Sequence, residues 1–271
     1  MGQVQVAVEV DHSNHLLFEP VNVKVSIFNN TENDLALKGQ GDISWLSFLV
    51  TQGDGTPVRP EQAMKMEPAV LKSQQARSLL VNVTPLFAFR EPGEYRVRAV
   101  INLPGQGDLI SSPVVFAVSN GQKIWSQTRP INASERIYSL IRFIPNVDTT
   151  YLYVRVEDEK ENIVYSTFPI GEIVAFSMPQ TAFDTSGNLH IIHVDGKSSY
   201  CYSVVGVEGN MKDQQHYISM NNDIPHLQRG TGGEILVAGG RKRSPENERE
   251  RLSQVQATPA PAPVAAAPEK P

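Results

Sequence analysis

The sequence contains a single cysteine, Cys201, in 271 residues, and it has no long apolar run. One cysteine excludes an intrachain disulfide, a multi-cysteine zinc site and an iron-sulfur cluster. No stretch approaches the roughly 18 apolar residues of a membrane-crossing helix, so no transmembrane segment is predicted. The first residues also lack the basic segment and apolar run of a secretory signal. The compartment is therefore unknown: secreted or cell envelope is favoured if a signal peptide has been removed, and cytoplasmic otherwise.

Basic residues are the minority among the charged ones. The sequence has 24 Lys and Arg against 29 Asp and Glu, a formal net charge of -5, which argues against a nucleic-acid partner. The composition changes after Gly240, because residues 241–271 hold six basic and four acidic residues and end in a Pro/Ala-rich run. That leaves 18 basic and 25 acidic residues in 1–240, a net charge of -7. We predict that 241–271 form a disordered, charged and Pro/Ala-rich tail.

Apolar and polar residues alternate with period two through much of residues 1–119. The alternation is clearest at Val4–Val10 and Val21–Ile27, and it indicates strands with one buried and one exposed face. Further strands are predicted at Leu46–Thr51, Leu79–Thr84, Glu94–Asn102 and Val114–Ser119. About seven strands joined by polar turns are typical of an antiparallel two-sheet sandwich.

One of these segments, Pro92–Val100, resembles the penultimate strand of immunoglobulin-like domains, in which a Pro/Gly turn precedes a tyrosine at the sheet corner. The resemblance implies that the hydroxyl of Tyr95 bonds to nearby backbone. It also implies that Trp45 is the core tryptophan of the third strand. Antibody-type members have a cysteine where this sequence has Val97, so this sandwich would be held by packing alone. The resemblance covers residues 3–119 and implies no particular function.

Residues 120–240 contain a second series of short predicted strands. These strands are Ile137–Phe143, Tyr151–Val156, Ile163–Phe168, Ile173–Ser177, Leu189–Val194, Tyr200–Val205 and Ile235–Ala238. A weak internal repeat superposes Leu152 on Leu189 and Asp158 on Asp195. The repeated unit resembles a blade of a β-propeller, but only two or three units fit where a closed ring takes at least four. We therefore predict an open, blade-like β-meander whose edges need covering by the first domain, a second copy or a partner.

Three groups of residues have the composition of reactive or metal-binding sites. His190 and His193 are three apart on a predicted strand and so point to opposite faces, one expected in a sheet core or seam and the other in solvent. Cys201 lacks a setting that favours the thiolate and is predicted to be a small core residue. The run Glu157–Glu161 lacks the ligand alternation of a calcium loop and is interpreted as a solvated hairpin tip. The sequence thus predicts no catalytic residue, no metal ligand and no cofactor.

Two pairs of tyrosines occupy alternate positions of predicted strands. Tyr151 with Tyr153, and Tyr200 with Tyr202, each fall on one strand face. Such a strip can stack on sugar rings or form the centre of a protein contact, and it can equally be core packing. These four tyrosines are the candidate binding residues.

Together these patterns predict an all-β protein with three parts. Residues 1–119 form an immunoglobulin-like antiparallel sandwich, 120–240 a second β-meander (blade-like) unit, and 241–271 the disordered tail. The expected function is that of a non-catalytic binding or structural module of the bacterial cell envelope or a secreted protein, which recognises a protein or a glycan. Homo-oligomers through open sheet edges are a further expectation. The alternative is a hydrolase or an enzyme accessory subunit, with acids such as Asp184 or Glu208 at the seam between the two units.

Overall fold

The structure of the chain, a computed structural model, describes residues 3–41, 43–103, 105, 107–131, 134–146 and 149–244. These residues form twenty-two strands and no helix, which confirms the predicted all-β class. Within this part of the chain there is accordingly no helix of the length and apolarity that a membrane crossing requires. The chain forms two compact units: Met1–Met178 with Val205–Met211, and Pro179–Val204 with Lys212–Pro271.

Eleven strands come from the first 119 residues. They are β1 (Val4–Val10), β2 (Asn14–Leu16), β3 (Asn22–Asn29), β4 (Leu35–Leu37), β5 (Leu46–Gln52), β6 (Pro57–Val58), β7 (Ala69–Leu71), β8 (Ala76–Asn82), β9 (Gly93–Leu103), β10 (Gly107–Ile110) and β11 (Val114–Ser119).

These strands build two main sheets around one apolar core. The first sheet has the order β1-β3-β8 and the second the order β2-β11-β9-β5-β6, with β10 paired to β9 and β4 to β7 in a separate pair. The alternation predicted from the sequence is realised in β3 and β9, since every second side chain is buried. The buried side chains are Val23, Val25, Ile27, Val97, Ala99 and Ile101. Burying each valine or isoleucine stabilises the fold by about 1.5 to 3 kcal/mol.

Trp45 and Tyr95 both lie in this core. Trp45 directly precedes β5, is fully buried, and donates from its indole Nε1 to the carbonyl of Glu67 at 2.9 Å. Tyr95 lies in β9 and donates from its hydroxyl to the carbonyl of Glu91 at 2.8 Å. Its ring stacks on Phe116 of β11, with centroids 5.7 Å apart. Each of the two polar groups is thus satisfied by backbone while the ring fills the core.

The first unit continues beyond residue 119, because a four-stranded antiparallel sheet belongs to the same compact unit. Its strands follow one another as a meander: β12 (Gln122–Ile131), β13 (Ser134–Asn146), β14 (Thr149–Asp158) and β15 (Ile163–Glu172). Among the described residues, β12 pairs with β13 alone and forms one edge of this sheet. The boundary predicted after residue 119 falls between β11 and β12, inside the first compact unit.

A buried hydrogen-bond network attaches the segment after β2 to β14. The carboxylate of Glu19 accepts a bond from the hydroxyl of Tyr153 at 2.9 Å and one from the backbone N–H of Leu16 at 2.8 Å. Beside it, the guanidinium of Arg155 donates to the carbonyl of Leu17. Burial raises the pKa of Glu19, and the two hydrogen bonds only partly offset that effect.

The second unit is built mainly from a five-stranded sheet with the order β16-β17-β18-β19-β22 and a separate pair, β20-β21. The strands are β16 (Gln180–Phe183), β17 (Leu189–Val194), β18 (Ser199–Val205), β19 (Met211–Ile218), β20 (His226–Arg229), β21 (Ile235–Ala238) and β22 (Arg241–Lys242). An apolar cluster of Ile192, Tyr202 and Val204 is buried on this sheet. The described sheets do not close into a propeller ring.

Two local predictions are wrong. Ile173–Ser177 is not a strand, because Phe176 has a positive φ of 64° and the chain turns there. Arg241 and Lys242, predicted to begin the tail, form β22 and pair with Ile218 and Tyr217 of β19. The rest of the predicted tail, residues 245–271, lies outside the described residues.

Candidate functional site

A turn after β15 holds the most exposed large apolar side chain among the described residues. Phe176 is 93% exposed. The turn around it is closed by Ser177, whose N–H and hydroxyl both donate to the carbonyl of Val174, at 3.1 and 2.8 Å. The guanidinium of Arg142 on β13 donates in turn to the carbonyl of Ser177. The turn is therefore fixed to the sheet while its phenyl ring is presented to solvent.

The backbone of Phe176 is in the left-handed region, with φ 64°. A bulky L-residue there is a true outlier, and such conformations cost about 1 to 3 kcal/mol and persist only when the surroundings impose them. The phenyl ring gains little in return, since almost none of it is buried. Fold stability alone therefore does not account for phenylalanine at this position.

Phe176 lines a largely apolar groove of about 420 Å³ on the first unit. Its other walls include the end of β13 and the first residue of the edge strand β12. The lining residues that matter here are Gly121, Gln122, Phe143, Ile144, Ala175 and Phe176. Ile144 and Val174 are also exposed, as is Met178 just beyond the turn. We call this surface the Phe176 groove; it brings an exposed aromatic ring and an open sheet edge together.

The four candidate tyrosines are distributed over the two units, and two of them are interior. Tyr153 is buried against Phe143, with ring centroids 5.6 Å apart at right angles, and Tyr151 packs half-buried beside them. Tyr202 is buried on the sheet of the second unit, with Tyr200 half-buried next to it. Tyr153 and Tyr202 thus act in packing and hydrogen bonding, and neither presents a ring face for stacking on a sugar.

Asp184, His190 and Tyr202 form a hydrogen-bonded chain in the second unit. The carboxylate of Asp184 lies 3.1 Å from Nε2 of His190, and the hydroxyl of Tyr202 lies 2.7 Å from Nδ1 of the same ring. Hydrogen bonds from Asn188 and His190 lower the pKa of Asp184 against the opposing effect of burial. Burial raises the pKa of Tyr202 to about 12, so this hydroxyl remains protonated. The two hydrogen bonds fix the orientation of the His190 ring within the sheet.

Both histidines of the His-x-x-His pair are buried, His190 at 7% and His193 at 2% exposure. The expectation that one would face solvent is wrong, because β17 is an interior strand covered on both faces. Among the residues that the structure describes, no three His, Cys, Asp or Glu side chains converge as metal ligands. Cys201 is a buried core residue, as predicted, and burial raises its pKa to about 11.

A second polar site lies on the surface of the second unit. Asp195 accepts a hydrogen bond from Nδ1 of His216 at 3.1 Å, and both line an open groove with Asp213, Lys242 and Arg243. Charges of both signs face each other there, so the groove selects no single class of ion. Of the acids proposed for a hydrolase, Asp184 belongs to the chain described above. Glu208 is exposed, 3.9 Å from Nη2 of Arg136.

The acidic run predicted to be a solvated hairpin tip is only partly solvated. Glu159 and Glu161 are exposed, but Asp158 is 1% exposed. Asp158 ends β14 opposite Ile163 and turns its side chain inward. Sequence reasoning missed both this burial and the exposure of Phe176. The apolar residues of Ile173–Ser177 indicated a strand. The signal against a half-buried strand was that polar residues do not alternate with the apolar ones there.

Comparison with known proteins identifies no family. No protein-family description and no curated protein matches the sequence. Among solved structures, the chain is similar to the crystal structure of Spo0M, a sporulation control protein from Bacillus subtilis. The identity is 8%, the match covers 59% of this chain and 81% of that one, and the TM-score is 0.31. A similarity of this size carries no argument about fold or function.

Proposed function

We propose that this chain is a non-catalytic binding module that recognises a protein partner through the Phe176 groove. The observation that carries the proposal is Phe176 itself, a fully presented phenyl ring on a turn in the left-handed region. Aromatic side chains are enriched among the residues that dominate protein interfaces, where they fill a pocket of the partner. A strained conformation at an exposed aromatic is explained when binding requires the ring to be held there.

The edge strand β12 supports the same assignment. Nine of its ten residues pair with β13 on one side, and Gln122 at its start lines the Phe176 groove. A sheet edge offers backbone N–H and C=O groups to an added strand, and a neighbouring apolar pocket supplies side-chain selectivity. A partner segment that paired with β12 as an additional strand would have one of its ends beside Phe176.

The finer fold assignment is part of this proposal. The hydroxyl of Tyr95 on the carbonyl of Glu91 and the buried Trp45 support an immunoglobulin-like sandwich for the first eleven strands. The hairpins β14-β15 and β17-β18 carry the 37-residue repeat at equivalent places, with Asp158 and Asp195 at the strand ends, and support blade-like β-meanders. Both architectures commonly serve as scaffolds that present binding surfaces.

The test is site-specific photo-crosslinking in cells of the source organism. The full chain carries benzoylphenylalanine at position 176 or, as a matched control, at Leu80, a 72% exposed position of β8. We expect a discrete adduct with one protein from position 176 and none from position 80. Excess unlabelled parent chain should suppress the adduct, whereas a chain with Phe176→Asn should not. The proposal fails if neither position gives an adduct or if both give the same one.

The Phe176→Asn variant also separates binding from folding. Asparagine tolerates the left-handed region, so we expect the free energy of unfolding to rise by about 1 kcal/mol while partner binding is lost. Urea denaturation measures the first quantity and competition for the adduct the second. A variant that is clearly less stable than the parent would show that the ring serves the fold.

A further inference from the structure

Arg142 of β13 is a half-buried cation whose bonding within the described part of the chain is incomplete. Its Nη2 donates to the carbonyl of Ser177, in the turn that carries Phe176. Arg142 forms no ion pair with any carboxylate of the described residues. A guanidinium binds a carboxylate through charge-assisted hydrogen bonds, often two in parallel, and a single neutral carbonyl leaves most of that capacity unused.

One nitrogen of this guanidinium is open to a ligand. Nε is inaccessible to solvent, and Nη2 is occupied by Ser177. Nη1 is neither buried in this way nor bonded to another of the described residues. Arg142 lines the Phe176 groove, beside the turn to which its Nη2 is bonded. A ligand oxygen in the groove can therefore accept a hydrogen bond from Nη1.

The positive charge of Arg142 is not balanced by the other described residues that line the groove. None of them is acidic, and the polar ones are neutral: Asn14, Ser119, Gln122 and Thr150. The apolar walls are formed by Phe143, Ile144, Ala175 and Phe176. Since complementary charge selects a partner, this lining favours a ligand with one negative charge next to an apolar side chain.

The direction of β12 determines which end of an added strand would lie at the groove. β12 runs away from the groove, because its first residue, Gln122, lines it. The strand pairs β12-β13, β13-β14 and β14-β15 are all antiparallel. A strand that continued this pattern beyond β12 would run toward the groove and place its carboxyl end beside Arg142. A parallel strand that began there would place a chain's terminal ammonium against the guanidinium, which like charge disfavours.

We propose that the Phe176 groove binds the C-terminus of the protein partner, with Arg142 as the receptor of the terminal carboxylate. The inference rests on the proposed function and names the part of the partner that is bound. The last residues of the partner pair with β12 as an antiparallel strand, and the last side chain packs on Phe176 and Ile144. Gln122 lies directly opposite Arg142 in the β12-β13 register, so both side chains point to the same face of the sheet. The amide of Gln122 supplies a second donor for the carboxylate.

The first test locates the photo-crosslink formed from position 176. Mass spectrometry of the digested adduct identifies the peptide of the partner that carries the benzoylphenylalanine. We expect the C-terminal peptide of the partner. An adduct on an internal peptide overturns this inference and leaves the proposed function intact. Absence of any adduct contradicts the proposed function, and this inference with it.

The second test needs no knowledge of the partner. The full chain is screened against a library of short acetylated peptides with randomised sequences, made once with a free C-terminal carboxylate and once as carboxamides. We expect the best binders to end in an apolar residue and to bind at least about tenfold more tightly than their carboxamides. Carboxamides that end in aspartate and bind equally well would identify an acidic side chain instead of a chain terminus. That result, equal binding of acids and carboxamides, or a library without binders overturns the proposal.

Two variants then assign the carboxylate to Arg142. In Arg142→Gln the preference for acid over carboxamide should fall to about twofold or less, because the charge is removed. Loosening of the Phe176 turn in this variant would weaken both peptide forms alike, so the ratio of the two affinities reports the charge alone. Arg98→Gln is the matched control, at an exposed arginine of β9 outside the groove lining, and it should keep the full preference. A preference retained in Arg142→Gln, or lost in Arg98→Gln, shows that Arg142 is not the receptor.

Discussion

At the scale of single residues, the buried polar groups of Trp45 and Tyr95 are fixed by backbone partners. Tyr95 shows the principle, because its ring is buried in the core while its hydroxyl reaches the carbonyl of Glu91 at 2.8 Å. We expect Tyr95→Phe to lower the free energy of unfolding by about 1 kcal/mol, since the ring packing is kept and one hydrogen bond is lost. Urea denaturation of both proteins measures the difference. Tyr165→Phe, outside this core, is the control, and an equal loss in both would argue against a role for the Glu91 bond.

Sequence patterns predict the environment of a residue such as Tyr95 better than that of a residue such as Phe176. A tyrosine after a Pro/Gly turn belongs to a recurring local arrangement, and alternation around it marks the buried face. The positive φ of Phe176 has no such marker, because phenylalanine disfavours that conformation everywhere. The turn is closed by Ser177 on Val174 and held by Arg142 of β13, a contact between distant parts of the sequence. The candidate groove therefore could not be predicted from composition or period.

At the scale of elements, the regular strands were predictable and the connecting ones were not. The strands around Val4–Val10, Leu46–Thr51 and Leu189–Val194 have continuous or alternating apolar residues, and they are close to β1, β5 and β17. In β12 most side chains are exposed, because an edge strand of this sheet buries little, so its sequence shows no apolar period. Burial of Asp158 was invisible for a related reason, since it depends on the inward turn at the end of β14.

The network that joins the segment after β2 to β14 predicts a specific pH dependence. Burial raises the pKa of Glu19, so the folded chain holds this proton more tightly than the unfolded chain. Its contribution to stability is therefore greatest at low pH and is lost as pH rises through the raised pKa. Glutamine at position 19 does not titrate, can still accept from Leu16, and can donate to the hydroxyl of Tyr153.

We expect the stability of Glu19→Gln relative to the parent to increase as pH rises, by about 1.4 kcal/mol for each unit by which the pKa is raised. Urea denaturation of both proteins from pH 4 to pH 8 measures this difference. Asp11 and Asp184 have lowered pKa values, so their contributions to the pH dependence of stability have the opposite sign. Both proteins contain these groups, so their contributions cancel in the difference between the two. Glu32→Gln, at an exposed position, should show no such trend, and a constant difference for Glu19→Gln would contradict the assignment.

At the scale of the whole molecule, regular structure continues past Gly240, the residue after which the composition changes. Residues 241–271 have a tail-like composition from their first residue, yet β22 pairs Lys242 with Tyr217 and Arg241 with Ile218. The N–H of Arg243 also donates to the carbonyl of His216 at 2.7 Å. Basic side chains are common on edge strands because they stay solvated while the backbone pairs, so basic composition and strand pairing are compatible here.

Two truncated chains, one ending before β22 and one after it, test whether β22 stabilises the second unit. A chain ending at Gly240 loses β22 and its hydrogen bonds to β19, so the free energy of unfolding of the second unit should fall by about 1 to 3 kcal/mol. A chain ending at Ser244 keeps those bonds and should unfold at the temperature of the full chain. Differential scanning calorimetry compares the three proteins, with a shift of about 2 to 4 °C expected per kcal/mol. Because the Phe176 groove is formed by residues of the first unit, both truncated chains should retain partner binding through it. Equal melting temperatures for the two truncations would show that β22 adds nothing to the stability of its sheet.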